Sequence, residues 1–135
     1  MPKKAARTPR NGNRPDVIVD FVFERGLLFL SIQNIGDKPA CEVRVRFSEP
    51  IRGIEDKEIS ALPLFQQLEF LAPHKEIRTL LDSSAAYFRS GQPTKIVAQV
   101  RYKDVNGAKH AATIRHNLEI YRDIGYLTAE PSPQE

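Results

Sequence analysis

The residues best suited to catalysis are one cysteine, Cys41, and three histidines, His74, His110 and His116. A thiol and an imidazole can act as nucleophile and base, but a reactive thiol must be accessible to its substrate. Cys41 and His116 fall on the apolar positions of alternating segments, which predicts that both point inward. The three histidines do not have the spacing of metal ligands. We therefore expect no catalytic site, no metal and no cofactor.

A second group of candidate residues is cationic. In residues 41–47 apolar and charged side chains alternate, and the segments 95–103 and 109–121 resemble the two arms of a hairpin. If these segments share one sheet, five cations point outward from the same face: Arg44, Arg46, Arg101, Lys103 and Arg115. Such a face could bind phosphate, sulfate or carboxylate groups. The alternative is an ordinary solvated face on which Glu42 and Glu119 neutralise some of the charge.

The N-terminal residues form a third candidate. Five cations precede the first acid, Asp16: Lys3, Lys4, Arg7, Arg10 and Arg14. Because the formal charge of the chain is +3, the remainder after these five carries −2. Residues 1–15 contain no large apolar side chain after Met1, so we expect a flexible basic arm that contacts polyanions in a salt-dependent way or serves as a solubilising tail. Residues 128–135 are expected to form a second flexible tail.

An apolar segment between residues 62 and 71 is the fourth candidate. It lacks clean periodicity, and Pro63 argues against a central strand at its start. If Leu64 and Phe65 stay exposed, they form a docking patch for a partner or a second copy. The alternative is that this segment covers the core.

The elements that must position these residues are mostly strands, because apolar side chains recur at every second position. The segments predicted as strands are residues 16–24, 27–33, 41–47, 67–71, 75–81, 95–103 and 109–121. Turns are predicted at residues 34–39 and 104–107, and a short helical turn near residues 83–90. About seven strands with little helix predict an all-β, immunoglobulin-like sandwich of two sheets over residues 16–127, with an open barrel as the alternative.

The composition is that of one soluble domain. The chain has 135 residues, of which 41% are hydrophobic and 27% charged. One cysteine cannot form an internal disulfide, and every apolar run is too short to cross a bilayer. We therefore expect a cytoplasmic protein without a membrane span.

Several core and turn residues carry a family resemblance. They are the strand 27–32 leading into Asn34-Ile35-Gly36, Ala40 before the apolar alternation of residues 43–47, the triplet Leu71-Ala72-Pro73, and Tyr102, Asp104 and Gly107 in the last hairpin. In these positions the chain resembles bacterial immunoglobulin-like domains of the cell-adhesion-related, CARDB-like kind. The resemblance implies a sandwich over residues 16–121 that serves as an accessory binding or spacer module, without catalytic residues.

Together these observations predict a non-catalytic protein-interaction or structural accessory module. The alternative is a nucleic-acid-associated protein that binds polyanions with the arm and the sheet face together.

Overall fold

The computed structural model describes residues 13–122 and 124. Seven strands make up about half of this part: β1 (Val17–Glu24), β2 (Leu27–Asn34), β3 (Ala40–Phe47), β4 (Leu68–Leu71), β5 (Glu76–Ser83), β6 (Lys95–Lys103) and β7 (Lys109–Asn117). Two short helices, α1 (Pro63–Gln66) and α2 (Ser84–Arg89), and two 3-10 turns at Ile54–Asp56 and Ile59–Ala61 lie between strands. No helix in this part of the chain is long and apolar enough to span a membrane.

The strands form two antiparallel sheets, which confirms the predicted two-sheet sandwich. One sheet has the order β1-β2-β5, and the other has the order β4-β3-β6-β7. The short fourth strand pairs with β3 and not with β5, so it extends the sheet that carries the predicted cationic face. The helical turn predicted near residues 83–90 is α2, and the side chain of Ser83 caps it by accepting a hydrogen bond from the Ala86 amide.

The core lies between the inner faces of the two sheets. Alternate residues of β1, β2, β3 and β6 are buried there, as the two-residue period predicts. Tyr87 of α2 and Leu118, just after β7, close the core at one end and are fully buried. Ile51 and Phe65 add to it from the long connection between β3 and β4.

The buried Asn34 fixes the predicted turn after β2. Its side-chain oxygen accepts hydrogen bonds from the amides of Asp16 and Gly36, and its amide group donates to the carbonyls of Lys38 and Leu71. All four bonds of the side chain are therefore made by backbone groups. They join the start of β1, the turn and the end of β4.

The start of β3 differs from the prediction. A bulge lies between Cys41 and Arg44, where the pairing with β6 shifts register and Glu42 adopts a positive φ of 51°. The extra residue changes which side chains of β3 point toward the core on one side of the bulge. Ala40 is consequently the buried residue, and Cys41 is only half-buried, so the prediction that Cys41 points into the core is wrong.

The ends of the sandwich also differ from the predicted boundaries. The last strand ends at Asn117, where residues 118–119 form a turn and residues 120–122 are helical. At the other end Pro15 is already buried, so ordered packing begins within the segment predicted as a flexible arm. The backbone of residues 14–16 lies so close to Gly36 that a side chain at that position would collide with it.

Candidate binding surface

The outer face of the four-stranded sheet carries a group of cations that we call the basic face. Its members are the outward side chains of β3, β6 and β7: Arg44, Arg46, Lys95, Arg101, Lys103, Lys109 and Arg115. Their orientation follows from the pleat, because the alternate residues Val45, Val100 and Tyr102 are buried on the opposite side. All five residues predicted for this face lie on it.

Several cations of the basic face are direct neighbours. Arg44 of β3 lies opposite Arg101 of β6, and Lys103 of β6 lies opposite Lys109 of β7. Like charges in directly opposed positions destabilise a sheet, each pair by an amount on the order of a few tenths of a kcal/mol. The fold therefore tolerates charge repulsion along this surface.

Two carboxylates neutralise part of the basic face. Glu69 pairs with Arg44 at 3.3 Å, and Glu42 pairs with Lys103 at 3.2 Å. Arg46, Arg101 and Arg115 form no ion pair within the described residues. Seven cations and two carboxylates leave a net formal charge of +5 on the face, and three guanidinium groups remain available to an external anion.

An exposed aromatic ring adjoins the basic face and was not predicted from the sequence. Phe70 of β4 pairs with Cys41 of β3, and 57% of the Phe70 residue is exposed. The bulge at Glu42 places Cys41 beside it, so no simple parity argument could have found this pair. Lys95 and Lys109 were also missed, although the alternation of each strand predicts them: Lys95 shares the parity of Arg101 on β6, and Lys109 shares that of Arg115 on β7.

An open cleft of about 480 Å³ lies at the end of β3. Arg46 lines one side, and Glu49, Glu58 and Ser60 from the following connection line the others. Gln66 of α1 donates hydrogen bonds to the carbonyls of Val45 and Ser60, which fixes one wall. The cleft extends the basic face at Arg46 and introduces acidic groups at its margin.

Cys41 and His116, the residues considered for catalysis, are far apart. They pair with Lys103 and Ile96, which are seven residues apart on β6, or about 23 Å at 3.3 Å per residue. His116 Nε2 instead lies 2.9 Å from the Val19 carbonyl oxygen. The sheet therefore does not bring thiol and imidazole together.

The other two histidines contact single carboxylates. His74 lies 2.8 Å from Asp37, and His110 lies 3.0 Å from Asp104 in the β6–β7 hairpin. The hydrogen bonds from His110 and from the Ala108 and Asn106 amides hold the pKa of Asp104 below its usual range. Within residues 13–122 and 124, no three His, Cys, Asp or Glu side chains form a group that could hold a metal ion.

The docking patch predicted at Leu64 and Phe65 is not formed. Phe65 has no exposed surface, and its ring packs edge-on against Phe47 at a centroid distance of 5.5 Å. Leu64 is half-buried and packs against the same core. Pro63 begins the single helical turn α1, and this turn directs Phe65 into the sandwich, so the segment covers the core.

The comparisons with known proteins identify one family. The family model described as "Domain of unknown function (DUF8453)" matches residues 3–122. The chain belongs to this family. Curated proteins and solved structures give no match.

The DUF8453 match contains the whole basic face and begins within the predicted arm. Four of the five arm cations, Lys3, Lys4, Arg7 and Arg10, lie outside the residues that the structure describes. The fifth, Arg14, is exposed beside the start of β1. The predicted C-terminal tail also lies outside the described residues.

Proposed function

We propose that this chain is a non-catalytic binding module, or structural accessory module, that presents its basic face to an acidic surface of a protein partner. The observation that carries the proposal is the direct opposition of Arg44 and Arg101 on neighbouring strands. The stability of the sheet would favour a neutral or oppositely charged pair at these positions. Binding to an anionic surface gives a reason for a pair that the isolated fold disfavours.

A protein partner suits the composition of the face better than a polyanion of uniform charge. Glu42 and Glu69 lie among the cations, where they would repel phosphates but could pair with basic side chains of a protein. Protein interfaces are enriched in arginine and aromatic residues. Four arginines and the exposed ring of Phe70 match that composition.

The resemblance to CARDB-like bacterial domains supports the same role, because such domains are generally accessory binding or spacer modules. A bacterial origin and a cytoplasmic location are part of the proposal. The location rests on the single cysteine, which leaves the fold without an internal disulfide.

A nucleic-acid-associated role is the second candidate. The observation that favours it is the spread of seven cations over three adjacent strands, in a chain whose first fourteen residues carry five more, of which only Arg14 is described. Binding of this kind would weaken steeply as salt is raised, because each phosphate contact releases counterions.

A capture experiment with two matched variants tests the proposal. The full chain is immobilised and exposed to a lysate of its native source, with and without nuclease treatment. The first variant combines Arg46→Glu with Arg101→Glu on the basic face. The control combines Lys38→Glu with Lys57→Glu, which changes the net charge equally at exposed positions in loops.

We expect the wild type and the loop control to retain the same protein partner after nuclease treatment. The R46E/R101E variant should lose it, while its thermal unfolding stays close to that of the wild type. Equal retention by all three chains would refute a role for the basic face. Retention that disappears with nuclease would replace the protein partner with nucleic acid.

A further inference from the structure

The outer face of the three-stranded sheet differs in character from the basic face. One row of residues on this face runs across all three strands and is entirely apolar: Val22 of β1 pairs with Phe29 of β2, and Phe29 pairs with Leu80 of β5. Leu27, one step further along β2, is 38% exposed. Ile18 lies two rows away on β1.

These five side chains do not belong to the core. They alternate with the buried residues Val19, Phe21, Leu28 and Leu30, and none of the five packs against the core cluster. The solvent side of an antiparallel sheet is usually polar. A row of three apolar residues on that side is a feature that an interface would explain.

Acidic residues surround this apolar row. Asp20, Glu24 and Glu76 project from the same face, which we call the acidic face. Arg78 lies among them, but its guanidinium is held by Glu24 at 2.9 Å and Glu76 at 3.0 Å and lies 5.8 Å from the centre of the Phe29 ring. Three acids and one arginine give this face a net formal charge of −2.

We propose that the acidic face of one copy docks onto the basic face of a second copy of this chain. This inference rests on the proposed function, because it identifies the acidic protein surface that the basic face binds. The two faces carry opposite charge on opposite sides of the same sandwich. Contact between copies is therefore head-to-tail, and each added copy presents a further free face of each kind.

The alternative ways of stacking two copies are electrostatically unfavourable. A symmetric contact between two basic faces would oppose two surfaces of net charge +5, and a contact between two acidic faces would oppose two surfaces of net charge −2. The head-to-tail arrangement instead places Arg46, Arg101 and Arg115 against a surface of net negative charge. It also places the exposed ring of Phe70 on the side that receives the apolar row.

The size of the acidic face indicates a weak contact. Three strands spaced about 4.8 Å apart and about 26 Å long present a patch on the order of 400 Å². Burying this patch on both copies removes about 800 Å² from solvent, which is at the low end of the range for transient interfaces. Association should therefore be visible only at high protein concentration and low salt.

Sedimentation velocity of the full chain over a wide concentration range tests the proposal. The basic-face variant is R46E/R101E, and the acidic-face variant combines Val22→Lys with Leu80→Lys, which places two cations in the apolar row. Neither variant removes a buried side chain or a member of an ion pair within the described residues. The most discriminating sample is an equimolar mixture of the two variants.

We expect the sedimentation coefficient of the wild type to rise with concentration, and this rise to be lost at about 500 mM NaCl, where charges are screened beyond a few ångströms. Each variant alone should remain monomeric. Their mixture should form a one-to-one dimer, in which the intact acidic face of R46E/R101E contacts the intact basic face of V22K/L80K. The dimer should grow no further, because the two faces that remain free are the altered ones.

Two results would overturn the inference. One is a wild type that stays monomeric throughout, and the other is a mixture that stays monomeric although the wild type associates. If the wild type is monomeric while lysate capture still depends on Arg46 and Arg101, only the self-docking inference fails. The salt dependence of the wild type keeps the test decisive even if one variant does not fold.

Discussion

His116 Nε2 lies 2.9 Å from the backbone carbonyl oxygen of Val19, so a side chain of the last strand reaches the outer edge of β1 in the opposite sheet. Tyr121 extends this contact, because its hydroxyl donates to the Phe21 carbonyl at 3.2 Å. Unpaired edge strands invite pairing with other chains. The two side chains form hydrogen bonds with backbone carbonyls at this edge and thereby connect the two sheets.

Replacing His116 with Phe tests this edge contact. A Phe ring can still pack against Phe21, whose ring lies 5.0 Å from that of His116, but it cannot donate to the Val19 carbonyl. We expect the free energy of unfolding in urea to fall by about 1 kcal/mol, the usual worth of one hydrogen bond. His116→Ala should lose more because it also removes the ring. An H116F variant as stable as the wild type would show that the hydrogen bond does not contribute.

Two buried tyrosines and one half-buried tyrosine predict a loss of stability at alkaline pH. Burial raises the pKa of Tyr87, Tyr102 and Tyr121 above that of free tyrosine. Above about pH 10 the unfolded chain releases phenolic protons that the folded chain keeps, so the free energy of unfolding falls as pH rises. Below about pH 10 this contribution is fully present.

Tyr87→Phe isolates the largest of these effects. The Tyr87 hydroxyl donates to the Pro93 carbonyl at 2.6 Å, and the residue has no exposed surface. We expect the variant to lose about 1 kcal/mol at pH 8 and to show a shallower decline of melting temperature between pH 10 and 11. An unchanged slope would contradict the assignment.

Phe65 and Phe70 should respond in opposite ways to substitution by alanine. Phe65→Ala removes a fully buried ring and should cost about 3–5 kcal/mol in urea unfolding. Phe70→Ala should change stability by less than about 0.5 kcal/mol, because the residue is mostly exposed. It should nevertheless weaken capture of the partner. Equal effects on stability would mean that the assignment of core and surface is wrong.

Gly36→Ala probes how the start of β1 is held. An added Cβ would collide with the Arg14 carbonyl oxygen and lie 2.8 Å from the Asp16 nitrogen. We expect a loss of roughly 1–3 kcal/mol in urea unfolding, as for overpacked sites. Gly91→Ala is the comparison, because that position has open space and only a positive φ, and it should cost about 1 kcal/mol. A G36A variant no less stable than G91A would argue against close packing of residues 14–16.

Much of the fold could be predicted from the two-residue period. The bounds of β6 agree with the prediction, and β1, β2 and β3 differ from it by one residue at one end. Between residues 50 and 66 no period exists, because 3-10 turns and an isolated bridge between Arg52 and Glu58 replace regular pairing. In this segment the burial of Phe65 depends on tertiary packing, which cannot be predicted from the local sequence.

The site was predictable where the alternation is unbroken. The outward orientation of Arg44, Arg46 and Arg101 follows directly from the burial of Val45 and Val100. The orientation of Cys41 did not follow, because Ala40 and Cys41 are both apolar and either could have pointed inward. The bulge selects Ala40, and the sequence carries no distinct signal for that choice.

A photo-crosslinking experiment in the native cell tests the central claim most directly. A photoreactive amino acid replaces Gln99, an exposed residue in the middle of the basic face that pairs with Arg46, or Lys57, an exposed residue in a loop. We predict that irradiation links the chain to a protein from position 99 and not from position 57, and that nuclease does not change the product. No protein adduct at position 99, or an equal yield from position 57, would contradict a binding role for this face.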